Sequence, residues 1–387
     1  MAAKRIENRK LIRLTKSCLS NAEKQAVMHV LDHEYLGMGI EVQKFEEALS
    51  KYFGRHAVCV VNGTAALQLA IQSCGIGNGD EVLVPSLTYI ASFQAISATG
   101  AKPIPCDISK ETYLLDLADA EKRKTQKTKA IMPVHYSGGV GKLDTVYEFA
   151  KKNDLRIIED AAHAFGTIYK NKRIGSFGDI TCFSFDGIKN ITSGEGGCVV
   201  SDDKEVLQKV KDARLLGIEN DTDKRFSGKR SWDFDVKTQG WRYHMSNIMA
   251  AIGIEQLKRF PIFAKKRQNI AKLYDKLFIN DSLIQPIERD YNNVVPHIYV
   301  VYIKGFNNLD DIKNNLLKKG IETGYHYQPN HYLAIYKTKN QKSFPITESI
   351  SPKLISLPLH PDLSLNDVHY VAESIKTIVN KKTAKYN

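Results

Sequence analysis

Residues 56–74 read HAVCVVNGTAALQLAIQSC. A near-continuous apolar run ends in Asn-Gly-Thr, and the apolar period then becomes helical. A buried strand handing over to a helix is one half of a βαβ unit. The same rhythm extends on both sides: helix 42–53 (VQKFEEALSKYF), strand 81–85 (EVLVP), helix 92–100 (SFQAISATG) and strand 102–107 (KPIPCD). Strands 129–136 (KAIMPVHY), 156–161 (RIIEDA) and 179–185 (DITCFSF) continue it. The alternation predicts an α/β fold, with a large three-layer domain built on a mostly parallel sheet. A helical stretch at 246–278, broken by Pro261, leads into a smaller C-terminal α+β domain. We expect an N-terminal arm over 1–20, a large domain over 21–255 and a small domain over 256–387. Ser20 suits the N-cap of the first helix, and KKTAKYN (381–387) reads as a frayed, solvated end.

The chain has 387 residues, 55 of them Lys or Arg against 43 Asp or Glu, a formal charge of +12. Such a bias attracts anions. The basic residues are scattered without an aromatic-interleaved stripe, which points to a small anionic substrate and away from nucleic acid. Six cysteines show no C-x-x-C pair and no metal-ligand spacing with histidine, so reduced thiols and no metal are expected. No apolar run is long enough for a membrane span or a signal sequence, and we expect a cytoplasmic protein.

Open parallel sheets place ligands beyond the carboxyl ends of their strands, so the segments following strands carry the chemistry. NGTAAL (62–67) puts backbone N–H groups and the Thr64 hydroxyl at a positive helix end suited to an anion; Thr64 also suits an ordinary cap. Tyr89, just past the strand at 81–85, can stack on a planar ligand or serve as packing. In IIEDAAHAFG (157–166) the adjacent Glu159 and Asp160 face opposite sides of a strand end, with His163 one helical turn beyond. Asp160 can pair with a protonated ring nitrogen or cap a helix. FSFDGIKNITSGEGG (183–197) delivers Ser184 and Lys189 ahead of a glycine-rich turn. A desolvated lysine there is suited to imine formation, with an ordinary solvent-exposed lysine as the competing account. SGGVGKLD (137–144) lacks the spacing of a Walker loop and reads as a strand-end turn. Anion turn, stacking aromatic, strand-end Asp, serine and lysine together form the set needed to hold pyridoxal phosphate.

The ordered segments NGTAAL, EDAAHAFG, FSFDGIKNITSGEGG and GWRYHMSNIMAAIGIEQL (240–257) resemble the DegT/StrS family of sugar aminotransferases, fold type I pyridoxal phosphate enzymes. FPITESISPKLISLPLHPDLS (344–364) resembles that family's C-terminal signature, and the likeness runs from about residue 20 to 375. The resemblance implies pyridoxal 5'-phosphate as cofactor, with pyridoxamine 5'-phosphate as intermediate. It makes Lys189 the imine-forming lysine and proton shuttle, and Asp160 the partner of the pyridine nitrogen. His163, where many members have Gln, would contact the ring hydroxyl. Gly63, Thr64, Ala65 and Ser184 would hold the phosphate and Tyr89 would stack on the ring. It further implies a homodimer with shared active sites, in which GWRYH departs from the common GYNYR: Arg242 stands in place of the cofactor-binding Asn, and His244 in place of Arg.

The implied reaction moves the amino group of glutamate to the keto carbon, C-4 by the likeness of EDAAHAFG and GWRYHMSNI, of a nucleotide diphosphate sugar in amino sugar and surface polysaccharide biosynthesis. Arg225, Lys229 and Arg230 in DKRFSGKRSWDFD (223–235), and Tyr325, His326 and His331 in TGYHYQPNH (323–331), are the substrate candidates, with a solvated loop and structural histidines as the competing accounts. A C-3 aminotransferase is the alternative. A dehydratase of this family would carry histidine where Lys189 stands, and a noncatalytic regulator would have no use for the intact Asp160, Ser184 and Lys189 set.

Overall fold

A computed structural model of the chain describes residues 11–337 and 343–386; of the arm expected over 1–20, residues 1–10 lie outside the described residues, as does Asn387. The first seven strands of the main sheet are assembled from β1 (His56–Val60), β2 (Glu81–Pro85), β3 (Lys102–Cys106), β4 (Thr128–Ile131), β5 (Arg156–Asp160), and, after a small hairpin of β6 (Ile168–Tyr169) and β7 (Lys172–Arg173), β8 (Ile180–Ser184) and β9 (Gly197–Ser201). Their order is β1-β9-β8-β5-β4-β2-β3. Only β9 runs antiparallel to its neighbours; the remaining pairings are parallel. The apolar strands are buried on both faces, because helices cover each side of the sheet. Helix Gly63–Ser73 packs one face through Leu67, Leu69 and Ala70, and helix Ile40–Phe53 closes another layer through Val42, Phe45 and Leu49.

A second, antiparallel sheet of β10 (Ile284–Pro286), β11 (Tyr299–Ile303) and β12 (Leu354–Leu357) has its own core with helix Leu365–Tyr386. The joining helix is continuous over Asn247–Phe278. Pro261 therefore does not break it, contrary to the sequence expectation. An interior proline costs a helix about 3 kcal/mol, and here the flanking Phe260 and Phe263 are both buried, Phe260 edge-on to Phe165 at 5.0 Å, so packing outweighs the lost hydrogen bond. The division proposed at residue 256 falls inside this helix. At the other end, the segment expected to fray belongs to helix Leu365–Tyr386, and Lys382 Nζ pairs with Asp311 Oδ2 at 2.5 Å.

The first helix, Asn21–Asp32, starts at Ser20 with a full capping box to Glu23. Ile12, in the arm, is buried and bridges in parallel to Ile321, and the Ser17 hydroxyl donates to the Gly187 carbonyl beside Lys189. The arm thus ties the small sheet's edge to the loop that carries the lysine. Among the described residues no helix is long and apolar enough to cross a membrane.

Candidate active site

The carboxyl ends of β1, β2, β5 and β8 converge on one cavity of about 410 Å³ lined by Gly63, Thr64, Tyr89, Asp160, His163, Ser184, Lys189 and His326. At its floor, β5 ends in Asp160, buried, with Ser92 Oγ donating to Oδ2 at 2.7 Å and the Ala162 N–H to Oδ1 at 3.2 Å. Thr88 Oγ1 lies 3.0 Å from Ser92 Oγ and extends the network. No helix follows Asp160: residues 161–167 are turns, so the carboxylate closes a local turn, and the helical spacing expected for His163 is not realised.

Next to β5, β8 delivers Ser184, paired in register with Gly197 of β9. The loop beyond returns through Phe185 N–H to the Gly196 carbonyl at 2.7 Å, leaving Lys189 on the cavity wall. Burial pushes the Lys189 ammonium below its ordinary value, while the carboxylates of Asp160 and Asp186 push it back up. A lysine held this way can shed its proton and still be re-protonated nearby.

The anion end is the start of helix Gly63–Ser73. Its cap is Asn62, whose Oδ1 accepts the Ala65 N–H at 2.8 Å, and not Thr64, which sits one turn position further in. Ala65 is buried against the core and meets the cavity only through its neighbours. A Cβ on Gly63 would lie 2.7 Å from Ser184 Cβ, so the helix start and the end of β8 touch backbone to side chain. Gly63→Ala is accordingly expected to lower stability by about 1–3 kcal/mol and to weaken phosphate binding; chemical unfolding and cofactor titration check both.

Opposite Asp160, the small domain closes the cavity with His297, His326 and Tyr327. Tyr327 OH lies 3.0 Å from His163 Nε2, and the Ser137 N–H donates to His163 Nδ1 at 3.4 Å. With Nδ1 accepting, the ring proton sits on Nε2 and faces the Tyr327 oxygen. Burial holds His163 and His297 well below the ordinary imidazole range, with Lys189 adding to the effect. Burial, then Lys189, lowers His326 to about 4. The three imidazoles are neutral, and the buried Arg267 guanidinium is the cation that adds to the lowering of Lys189. Tyr89 stands at the mouth, 57% exposed, its ring tilted 47° to Tyr327 at 5.5 Å.

Other candidates lie elsewhere. Arg225 pairs with Asp221 at 2.8 Å, Lys229 and Arg230 are exposed, and none of the three lines the cavity. Arg242 is exposed on a bridge to Leu215, outside the cavity of its own chain. Tyr325 lies under Lys313 at 5.9 Å and does not line the cavity. His331 is buried, bonded to Ser86 Oγ at 2.6 Å and stacked on Phe344 at 4.1 Å, which makes it part of the core. Sequence reasoning passed over Asn62, Ser92, Asp186, Glu195, His297 and Tyr327. The Asn-Gly step before a helix was a readable cap signal for Asn62; nothing in the spacing of the others marks them.

The cavity fits pyridoxal phosphate. A glycine that tolerates no Cβ brings helix N–H groups to one end, a buried carboxylate stands at the other, and the buried His297 Nδ1 has no hydrogen-bond partner among the described residues. The sequence profile of the DegT/DnrJ/EryC1/StrS aminotransferase family matches residues 17–376. The chain is 38% identical over 377 residues to a GDP-perosamine synthase of Escherichia coli O157:H7, covering 96% of this chain and all of that one. Among solved structures, a Streptococcus pneumoniae protein assigned as a sugar aminotransferase, in its PMP form, superposes with a TM-score of 0.90 at 31% identity, covering 97% of this chain and 100% of its own. The same protein has been solved in a PLP form. PseC of Helicobacter pylori, an aminotransferase of pseudoaminic acid biosynthesis, gives 0.88 at 29% identity over 96% of this chain and 100% of its own. The fold is that of the pyridoxal phosphate-dependent sugar aminotransferases, and the chain belongs to the DegT/DnrJ/EryC1/StrS aminotransferase family.

Proposed function

We propose that this sugar aminotransferase takes its amino group from glutamate and delivers it to the C-4 keto group of a nucleotide-linked keto-deoxy sugar. The observation that carries the reading is the convergence of Lys189, Asp160 and the start of helix Gly63–Ser73 on one cavity of about 410 Å³. Bound pyridoxal phosphate supplies an electron sink that acidifies the C–H bond of an amine attached to it. The chain's residues do the remainder. The helix start and Ser184 bind the phosphate, Tyr89 covers the ring, and Asp160, fixed by Ser92 and Ala162, holds the proton of the pyridine nitrogen. Lys189 Nζ would take the proton from the substrate carbon and give it back at the other end of the substrate–cofactor unit, and the neutral His163, His297 and His326 add no positive charge beside it. The likeness to a GDP-perosamine synthase supports a nucleotide-linked sugar, and the motifs EDAAHAFG and GWRYHMSNI support carbon 4. Offered glutamate and a panel of 3-keto and 4-keto nucleotide sugars, the enzyme is expected to form a 4-amino sugar, identified by NMR; amination at carbon 3 would replace this assignment.

A homodimer with shared sites completes the reading. Trp232 is 86% exposed, Phe234, Val236 and Leu216 are exposed as well, and Val236 bridges to Ile218 while the exposed Arg242 bridges to Leu215. Apolar surface of this kind is suited to a second copy. If Arg242 serves the partner's cavity, mixing inactive Arg242→Ala and Lys189→Ala subunits restores activity, to about a quarter of wild type for random pairing into two-fold dimers. A mixture as inactive as its components contradicts sharing.

A further inference from the structure

β5 ends in two carboxylates, and the cavity uses only Asp160. Glu159 points through the other face of the sheet and is buried, accepting from Tyr147 OH at 2.8 Å and pairing with His135 Nε2 at 2.7 Å. His135, itself buried, is also fixed by its backbone, whose N–H donates to the Asp160 carbonyl at 3.1 Å. Two successive residues of β5 thus grip one residue by its ring and its main chain.

What His135 anchors is a strained turn. Ser137 has φ 56° and Gly138 φ 81°, the first a left-handed conformation that a serine keeps only when its surroundings over-determine it. The strain aims the turn at the cavity: the Ser137 N–H reaches His163 Nδ1, and Ser137 Oγ donates to the Ile298 carbonyl at 2.7 Å, next to His297. Without the grip on His135, Ser137 relaxes and its N–H turns from His163, whose ring then loses the bond that decides which nitrogen carries the proton.

We propose that the buried His135–Glu159 pair is a positioning device for His163, holding the turn at 135–138 so that the His163 ring keeps its Nε2–H tautomer toward Tyr327 and the cofactor. Glu159 and His135 touch neither the cavity nor its contents; they act through the turn. The inference rests on the reading of His163 as a cofactor contact.

The test uses the cofactor-loaded enzyme. Glu159→Ala is expected to lower kcat by about ten- to a hundredfold, the cost of a displacement transmitted from outside the site, with KM for the sugar within about threefold. Glu159→Gln, whose amide oxygen still accepts the His135 N–H, is expected to stay within about threefold of wild type. In a His163→Leu background Glu159→Ala should add little, because coupled residues are non-additive. Imidazole 15N spectra should show the His163 Nε2–H form in the wild type and a tautomer mixture in Glu159→Ala. A folded Glu159→Ala enzyme with wild-type kcat, or losses that multiply with those of His163→Leu, overturns the inference. Should Glu159→Ala not fold, Tyr147→Phe removes only one bond to Glu159 and is expected to reproduce the loss at smaller size with the same dependence on His163; a wild-type kcat and tautomer there overturns it equally. An unchanged kcat in His163→Leu alone overturns the reading of His163 and the inference with it, whereas an impaired His163→Leu beside a wild-type Glu159→Ala overturns the inference alone.

Discussion

Lys189→Ala is expected to reduce kcat by about a thousandfold or more while leaving pyridoxamine phosphate bound. Positioned proton transfer is worth about 10² to 10⁴ in rate, and Lys189 is the only lysine lining the cavity among the described residues. The charged groups acting on it are the carboxylates of Asp160 and Asp186 and the Arg267 guanidinium, with three neutral histidines on the wall, so no second amine stands ready to replace it. His163, His297 and His326 are held below the ordinary imidazole range by burial and make poor bases at neutral pH. The proposed phosphate end, Gly63, Thr64 and Ser184, does not include the lysine, so binding is expected to survive. Single-turnover assays and a titration with pyridoxamine phosphate separate the two. Retained turnover would assign the proton transfer to another group.

Asp160→Asn is the second large effect, expected at about a hundred- to a thousandfold in kcat, comparable to removing one preorganised charge-stabilising group elsewhere. Asn keeps the shape, and the Ala162 N–H still finds an acceptor in its amide oxygen. Ser92, which donates to Oδ2 at 2.7 Å, turns to accept from the amide. The fold survives and the negative charge does not. Two consequences follow, both disfavouring a protonated nitrogen. In the proposed mechanism the pyridine nitrogen loses the group that would keep it protonated, and the Lys189 ammonium loses a carboxylate that raises it. Because Asp160 pushes the lysine up, its removal lets burial lower it further, and the pH at which the free amine appears moves down. Measuring the pH–rate profile of the variant beside the wild type checks the sign; an unmoved profile with full activity would remove Asp160 from the mechanism.

The strand–helix alternation was legible because parallel strands buried on both faces are continuous apolar runs, of which β1 and β8 are plain cases. The segments following those strands supplied Gly63, Tyr89, Asp160, Ser184 and Lys189, all of which the fold brings to one cavity. Local capping was harder. Thr64 looked like the cap where Asn62 holds it, and Asp160 like a helix start where the chain only turns. Pro261 read as a break because propensity was visible and the packing of Phe260 on Phe165 was not. The far wall was illegible for a different reason: His297 and Tyr327 reach the cavity where Val300 and Leu354 of the small sheet pack on Leu87, Ile108 and Tyr136 beyond the large sheet's strands, a contact more than a hundred residues removed from Asp160 in the chain and without any period of its own. His331, in the same segment as His326, went the other way, into the core with Ser86. A basic loop gave Arg225, Lys229 and Arg230, and charge alone could not tell a cavity wall from a largely buried ion pair remote from it, such as Arg225 with Asp221.

The most direct measurement of the central claim is to reduce the cofactor-loaded enzyme with borohydride and locate the cofactor's added mass by peptide mass spectrometry. The account predicts the mass on the peptide containing Lys189 and its disappearance in Lys189→Ala. The mass on any other lysine, or a loaded enzyme with no lysine modified, would contradict it.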